Sequence, residues 1–185
     1  MDQSQAVYSL ASILLQYPSM EWKDYLDELY HEARQFTDPE VKGCFQRFID
    51  YLERHDYETL CQSYVRTFDF NERSTLYLTY TVFKDNRDRG PALVKLRQEF
   101  LAAGAELESE ELPDYLPLIL EFAAISDTAK SAKILKLHFR AIERLALELE
   151  AMNSPYYLLL GAVVSSIRKL SETKPSGETG ERRII

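Results

Sequence analysis

Apolar residues recur three and four positions apart along most of this chain, a period that fits amphipathic helices and excludes alternating strands. Ala6, Leu10, Ile13 and Leu14 form one such stripe, which ends at Tyr17-Pro18, where proline disfavours helical continuation. Ser19 is placed to cap a second helix with Trp22, Tyr25, Leu26, Leu29 and Tyr30 on one side. Asp38-Pro39 reads as the cap and first-turn proline of a third, burying Val41, Phe45, Phe48, Ile49 and Leu52. Asp56 opens a fourth, which carries Leu60, Tyr64, Val65 and Phe68.

The middle is less regular. Thr75 to Phe83 is an aromatic and β-branched run whose period is ambiguous, and it is assigned to helix because no other strand-like run exists to pair with it. Lys84 to Gly90 reads as a charged loop, and Pro91 opens a helix through Leu93, Leu96 and Phe100 to a left-handed cap at Gly104. An acidic connector with Glu106, Glu108, Glu110 and Glu111 follows. Asp114 is expected to cap the next helix, with Pro117 in its first turn, where a missing N–H costs little. Two longer helices, about 129–150 and 155–170, complete the pattern. The expected fold is an all-α, single-domain bundle of about nine helices over 1–170. Residues 171–185 are read as a flexible polar tail.

Composition narrows the function classes. With 185 residues the chain is long enough for one domain, and 12% aromatic residues is too much apolar surface for a disordered one. The net charge of −8 disfavours a nucleic-acid partner and favours a basic one. Met1 to Gln5 lacks the basic start and apolar core of a signal peptide, and the apolar run Tyr156–Val164 is too short to cross a bilayer. Cys44 and Cys61 form no C-x-x-C pair and are expected to be buried free thiols. The expected location is the cytoplasm, without direct membrane insertion.

Enzymatic signatures are missing from the sequence. It has no G-x-G-x-x-G or P-loop, and His31, His55 and His138 are too scattered to form a metal pair. No catalytic residue, metal or cofactor is expected. Two segments exceed what a plain bundle needs. Tyr64 to Phe70, continued by Arg73 and Leu76 to Tyr80, is either core aromatic packing or an aromatic groove suited to a peptide helix. Lys84 to Gly90, together with Leu112 to Phe122, is either solvated loop and helix punctuation or part of the same groove.

Those segments carry a resemblance. Phe68-Asp69, Asp85-x-Arg87-Asp88-Arg89-Gly90 and the run Leu112-Pro113-Asp114-Tyr115-Leu116-Pro117-Leu118-x-Leu120-Glu121-Phe122 resemble the NarJ family. Leu14-Leu15-Gln16-Tyr17-Pro18 is similar to that family's opening, and the likeness covers about residues 7–125. Asn86 departs from it, standing where a small residue is expected. NarJ proteins are the assembly chaperones of respiratory nitrate reductase, also called its delta subunit, within the TorD-like molybdoenzyme chaperones.

The resemblance implies a non-catalytic, cytoplasmic chaperone that binds the N-terminal leader of the apo catalytic subunit of a membrane-bound nitrate reductase. It implies assistance with molybdenum cofactor insertion, and molybdenum cofactor biosynthesis proteins are conceivable further partners. A permanent structural subunit of the reductase and a cofactor-handling enzyme are the alternatives. Toward a basic leader, Asp69, Asp114 and Glu121 are the expected carboxylates, while Tyr64, Phe68, Tyr77, Tyr80 and Tyr115 are the expected contact surface. Arg87, Asp88, Arg89, Gly90, Pro113 and Pro117 belong to the shared motifs, either as binding residues or as a structural unit held by Asp–Arg pairs.

Overall fold

A computed structural model describes residues 2–102, 104 and 111–172. Its α-helices are α1 Gln3–Leu14, α2 Leu26–Gln35, α3 Pro39–Arg54, α4 Tyr57–Phe68, α5 Leu78–Phe83, α6 Arg89–Ala102, α7 Leu116–Ile125, α8 Thr128–Ala151 and α9 Tyr157–Glu172. Among the described residues there is no strand, only one antiparallel bridge between Tyr77 and Tyr115. The expected all-α, single-domain bundle therefore holds. Residues 173–185, most of the expected tail, lie outside the described residues, as does most of the acidic connector.

Local chemistry sets most of the helix ends. Asp38 accepts from the backbone N–H of Glu40 at 2.9 Å and of Val41 at 3.4 Å, with Pro39 in the first turn of α3. Asp56 accepts from Thr59 N–H at 2.8 Å and opens α4. Gly104, with φ of 84°, donates its N–H to the Leu101 carbonyl at 2.9 Å just past α6, so its freedom in the left-handed region is used. The expected second helix is instead two pieces. Ser19 caps a short 3-10 turn, Met20–Lys23, and Tyr25 at φ −106° and ψ 15° breaks the path before α2 begins. Only Trp22 is buried in that turn, so no apolar stripe enforces a continuous helix.

Helix α9 is the centre of the bundle, packed against α1, α3 and α8, while α1 also lies along α7. Tyr8 on α1 is buried and accepts from Ser166 Oγ on α9 at 3.1 Å; burial raises its phenol pKa to about 12. At the start of α9 the fully buried Tyr156 gathers three rings, with centroids of Phe68 at 4.9 Å, Phe48 at 5.2 Å and Tyr64 at 5.9 Å. This cluster joins α3, α4 and α9, and thereby fixes the C-terminal end of α4.

The Tyr156 hydroxyl has no hydrogen-bond partner among the described residues. An orphaned buried hydroxyl costs more than it contributes, on the order of 1–3 kcal/mol. Tyr156→Phe should therefore leave the melting temperature unchanged or raise it, whereas Tyr156→Ala, which empties the ring site, should cost about 3–5 kcal/mol. Thermal unfolding of the two variants by circular dichroism measures both, and a clear loss of stability in Tyr156→Phe would show that the hydroxyl is bonded.

Candidate peptide-binding cleft

The chain leaves α4 at Asp69 and is tied down at once. The Ser74 hydroxyl donates to the Thr67 carbonyl, and the Thr67 and Ser154 hydroxyls lie 3.2 Å apart in the interior. Beyond it, Leu76 to Leu78 runs extended beside Asp114 to Leu116. Leu78 N–H donates to the Asp114 carbonyl at 3.0 Å and Leu116 N–H to the Leu76 carbonyl at 2.9 Å. This non-local pairing explains why the aromatic run is helical only from Leu78 onward.

Asp114 differs from the expectation on two counts. It is fully buried, and it does not cap its own helix; Tyr115 occupies the cap position of α7. Its Oδ2 instead accepts from the N–H of Thr79 at 3.0 Å and from the Thr79 hydroxyl at 2.5 Å, at the N-terminal turn of α5. Arg89 completes the unit: its Nη2 is 3.5 Å from the same carboxylate oxygen, and its Nε donates to Thr79 Oγ1 at 3.0 Å. Charge and N–H donors meet the buried Oδ2 there, which offsets its burial, while Oδ1 has no hydrogen-bond partner among the described residues. Asp114 is thus corrected from a ligand-facing carboxylate to a tie between α5, α6 and the 111–116 segment. The Asp–Arg pair expected for the shared turn exists, but it joins Arg89 to Asp114.

Tyr64 needs the same correction. It is buried, donates to the Leu15 carbonyl at 3.3 Å, and has the Tyr115 hydroxyl 3.4 Å away. Burial is the main cause that drives its phenol far above the ordinary range. Tyr115, half-buried, lies tilted against the Tyr77 ring with centroids 5.3 Å apart, and burial raises its phenol pKa too. Both rings support the surface from beneath.

That surface is a cleft of about 340 Å³ between the end of α4, the 70–77 segment and α5. Phe68, Asp69, Tyr77, Tyr80 and Arg89 line it together with Asn71, Glu72, Thr75 and Leu112. Tyr77 donates to Glu111 Oε2 at 2.6 Å, and the Arg89 guanidinium lies 5.4 Å over the Tyr80 ring, a cation–π contact that fixes the ring. Asn71, Glu72 and Thr75 were not among the expected site residues, because each is an unremarkable loop residue until the fold gathers them, and Leu112 opens the shared 112–122 run without having been expected as a contact. On the other side of the same end of α4, Tyr17, Cys61, Gln62, Val65, Arg66 and Phe70 line a second hollow of about 320 Å³. Phe70 is 85% exposed and Tyr17 51%, so an apolar rim surrounds the turn that carries Asp69. Cys61 is half-buried there, rather than buried as expected; Cys44 is buried, which raises its thiol pKa.

The remaining motif residues have supporting or peripheral positions. Asn86 Oδ1 accepts from Asp88 N–H at 3.0 Å and the Asn86 carbonyl from Arg89 N–H at 3.1 Å, an Asx turn that aims Arg89 inward. Arg87, Asp88 and Gly90 are exposed at this turn, and a Cβ at Gly90 would meet nothing within 4 Å. Pro113 and Pro117 are buried on either side of the Asp114 tie. Glu121 is exposed on α7 and is not among the residues lining the cleft. His138, on α8, is pushed below its usual pKa by burial, which the negative charge of Asp114 opposes. Among the described residues no cluster of His, Cys, Asp or Glu could hold a metal ion, and no helix is long and apolar enough to cross a membrane.

Comparison with known sequences decides the family. The profile of the nitrate reductase delta subunit family matches residues 35–160, which includes the whole cleft. The chain belongs to that family. It is 30% identical over 166 residues, nine-tenths of both chains, to the probable nitrate reductase molybdenum cofactor assembly chaperone NarJ of Bacillus subtilis. It is 28% identical to the nitrate reductase molybdenum cofactor assembly chaperone NarJ of Escherichia coli, over 81% of this chain and 64% of that one. It is also 32% identical to the nitrate reductase-like protein NarX of Mycobacterium tuberculosis, over 85% of this chain but only 24% of the longer relative. The Asp114 tie and its Thr79 and Arg89 partners lie wholly inside the matched region.

Proposed function

We propose that this protein is an assembly chaperone for a membrane-bound nitrate reductase. In this reading it holds the apo catalytic subunit by a basic N-terminal leader, in the cytoplasm, while the molybdenum cofactor is inserted. The observation that carries the assembly role is the similarity to the Bacillus subtilis chaperone across nine-tenths of both chains. The leader site is the cleft at the end of α4. Its Tyr77, Tyr80 and Phe68 rings offer contact area that loses little rotamer freedom, and Asp69 and Glu72 supply negative charge at its edge. Arg89, the cation lining the cleft, is already neutralised by Asp114, so the charge offered to a ligand is set by the carboxylates. The family name, delta subunit, favours a second reading as a permanent subunit. Purified mature reductase would contain the chain in fixed ratio in that case and lack it in ours.

Titration calorimetry with the catalytic subunit's leader peptide tests the site. Asp69→Asn combined with Glu72→Gln should weaken binding about tenfold, near 1.4 kcal/mol. The loss should shrink at high salt, because exposed charges act through a screened field. Unchanged affinity at low salt would move the site elsewhere. The melting temperature should not change, since both residues are exposed.

A further inference from the structure

A further cleft, of about 470 Å³, lies between α6, α7 and α8 and shares only α6 with the proposed leader cleft. Phe122, Ile134 and Leu137 give it an apolar lining, and Leu137 is 63% exposed. Lys95, Lys133 and Lys136 stand around it. In a chain of net charge −8, this region is the reverse of the whole. Lys130, paired with Asp127, lines it too, so four lysines of the lining meet a single carboxylate there, Glu99. Glu99 is itself paired with Lys133, while Lys95 and Lys136 are exposed and have no anionic partner among the described residues.

We infer that this cleft is a docking surface for an acidic amphipathic helix of a partner protein. Apolar positions of such a helix, spaced three and four apart, would enter against Phe122, Ile134 and Leu137, and its flanking Glu or Asp would meet Lys95 and Lys136. The charge complementarity selects an acidic partner over the basic leader proposed for the other cleft. The concave shape favours a helix over a lipid surface, because interfacial membrane binding uses a protruding apolar face.

Fluorescence anisotropy with a labelled synthetic helix of about five turns, Leu on one stripe and Glu on its flanks, provides the test. The controls are a peptide of identical composition in scrambled order and vesicles of phosphatidylcholine with phosphatidylglycerol. The amphipathic peptide should bind, the scrambled one should bind at least tenfold more weakly, and the vesicles should not retain the protein. Lys95→Gln with Lys136→Gln should reduce affinity about fivefold, and Leu137→Glu should abolish binding without a change in melting temperature. Equal binding of both peptides, unchanged binding by the lysine variant, or capture by vesicles in place of the peptide would overturn the inference. The Asp69→Asn/Glu72→Gln variant should bind this peptide as the wild type does, which separates this result from the fate of the leader site.

Discussion

Asp114→Ala should lower the melting temperature by about 6–12 °C. The substitution removes the carboxylate that accepts two bonds from Thr79 and pairs with Arg89, and so leaves a largely buried guanidinium and an α5 N–H without their partner. Breaking one side of a buried ion pair costs on the order of 3–5 kcal/mol, and the lower end applies because the Arg89 side chain retains 22% exposure. A domain of this length loses roughly 2–4 °C per kcal/mol, so about 3 kcal/mol corresponds to about 6–12 °C.

Two further variants separate this account from simple cavity formation. Asp114→Asn keeps an oxygen for Thr79 N–H but loses the charge, and should fall about midway. Arg89→Ala should cost less in the Asp114→Ala background than alone, because the ion pair is already broken and only the Thr79 bond and the Tyr80 ring contact remain to be lost. If Asp114 were the solvent-facing ligand residue that its motif suggested, Asp114→Ala would shift the melting temperature by no more than about 2 °C.

The contrast shows what the sequence could and could not convey. Helix ends governed by neighbours in the chain were legible: Asp38-Pro39, Asp56 and Gly104 each act on backbone groups a few residues away. The Asp114 tie was not, because its partners, Thr79 and Arg89, are far along the chain and meet it only after the extended Leu76–Leu78 and Asp114–Leu116 segments pair. A carboxylate before a helical run reads locally as that helix's cap; here tertiary pairing gives it to α5 instead. Aromatic residues posed the same difficulty in another form. Tyr64 and Tyr77 look alike in a helical wheel, yet one is sealed under Tyr17, Tyr115 and Tyr156 while the other opens into the cleft. Composition and period rank residues by apolarity, and only packing decides which side of the surface a tyrosine occupies.

The largest functional effect is expected in a strain that lacks the gene. An assembly chaperone acts before the enzyme is complete, so the reductase polypeptides should still be made, but without their cofactor. Nitrate reductase activity should fall by about two orders of magnitude or more, the size of effect expected when the chemistry's own centre is missing. Complementation with Asp69→Asn/Glu72→Gln should restore activity only in part if the α4 cleft holds the leader, because weaker capture can be offset by higher chaperone concentration. Complementation with Tyr156→Phe should restore it fully, since that change alters no residue that lines the cleft.

The most direct test of the assembly role is the molybdenum content of the reductase catalytic subunit purified from the deletion strain, measured by inductively coupled plasma mass spectrometry against the wild type. The account predicts a subunit of normal length and substantially reduced molybdenum, restored when this chain is supplied. A full complement of molybdenum in the subunit made without this chain would contradict it.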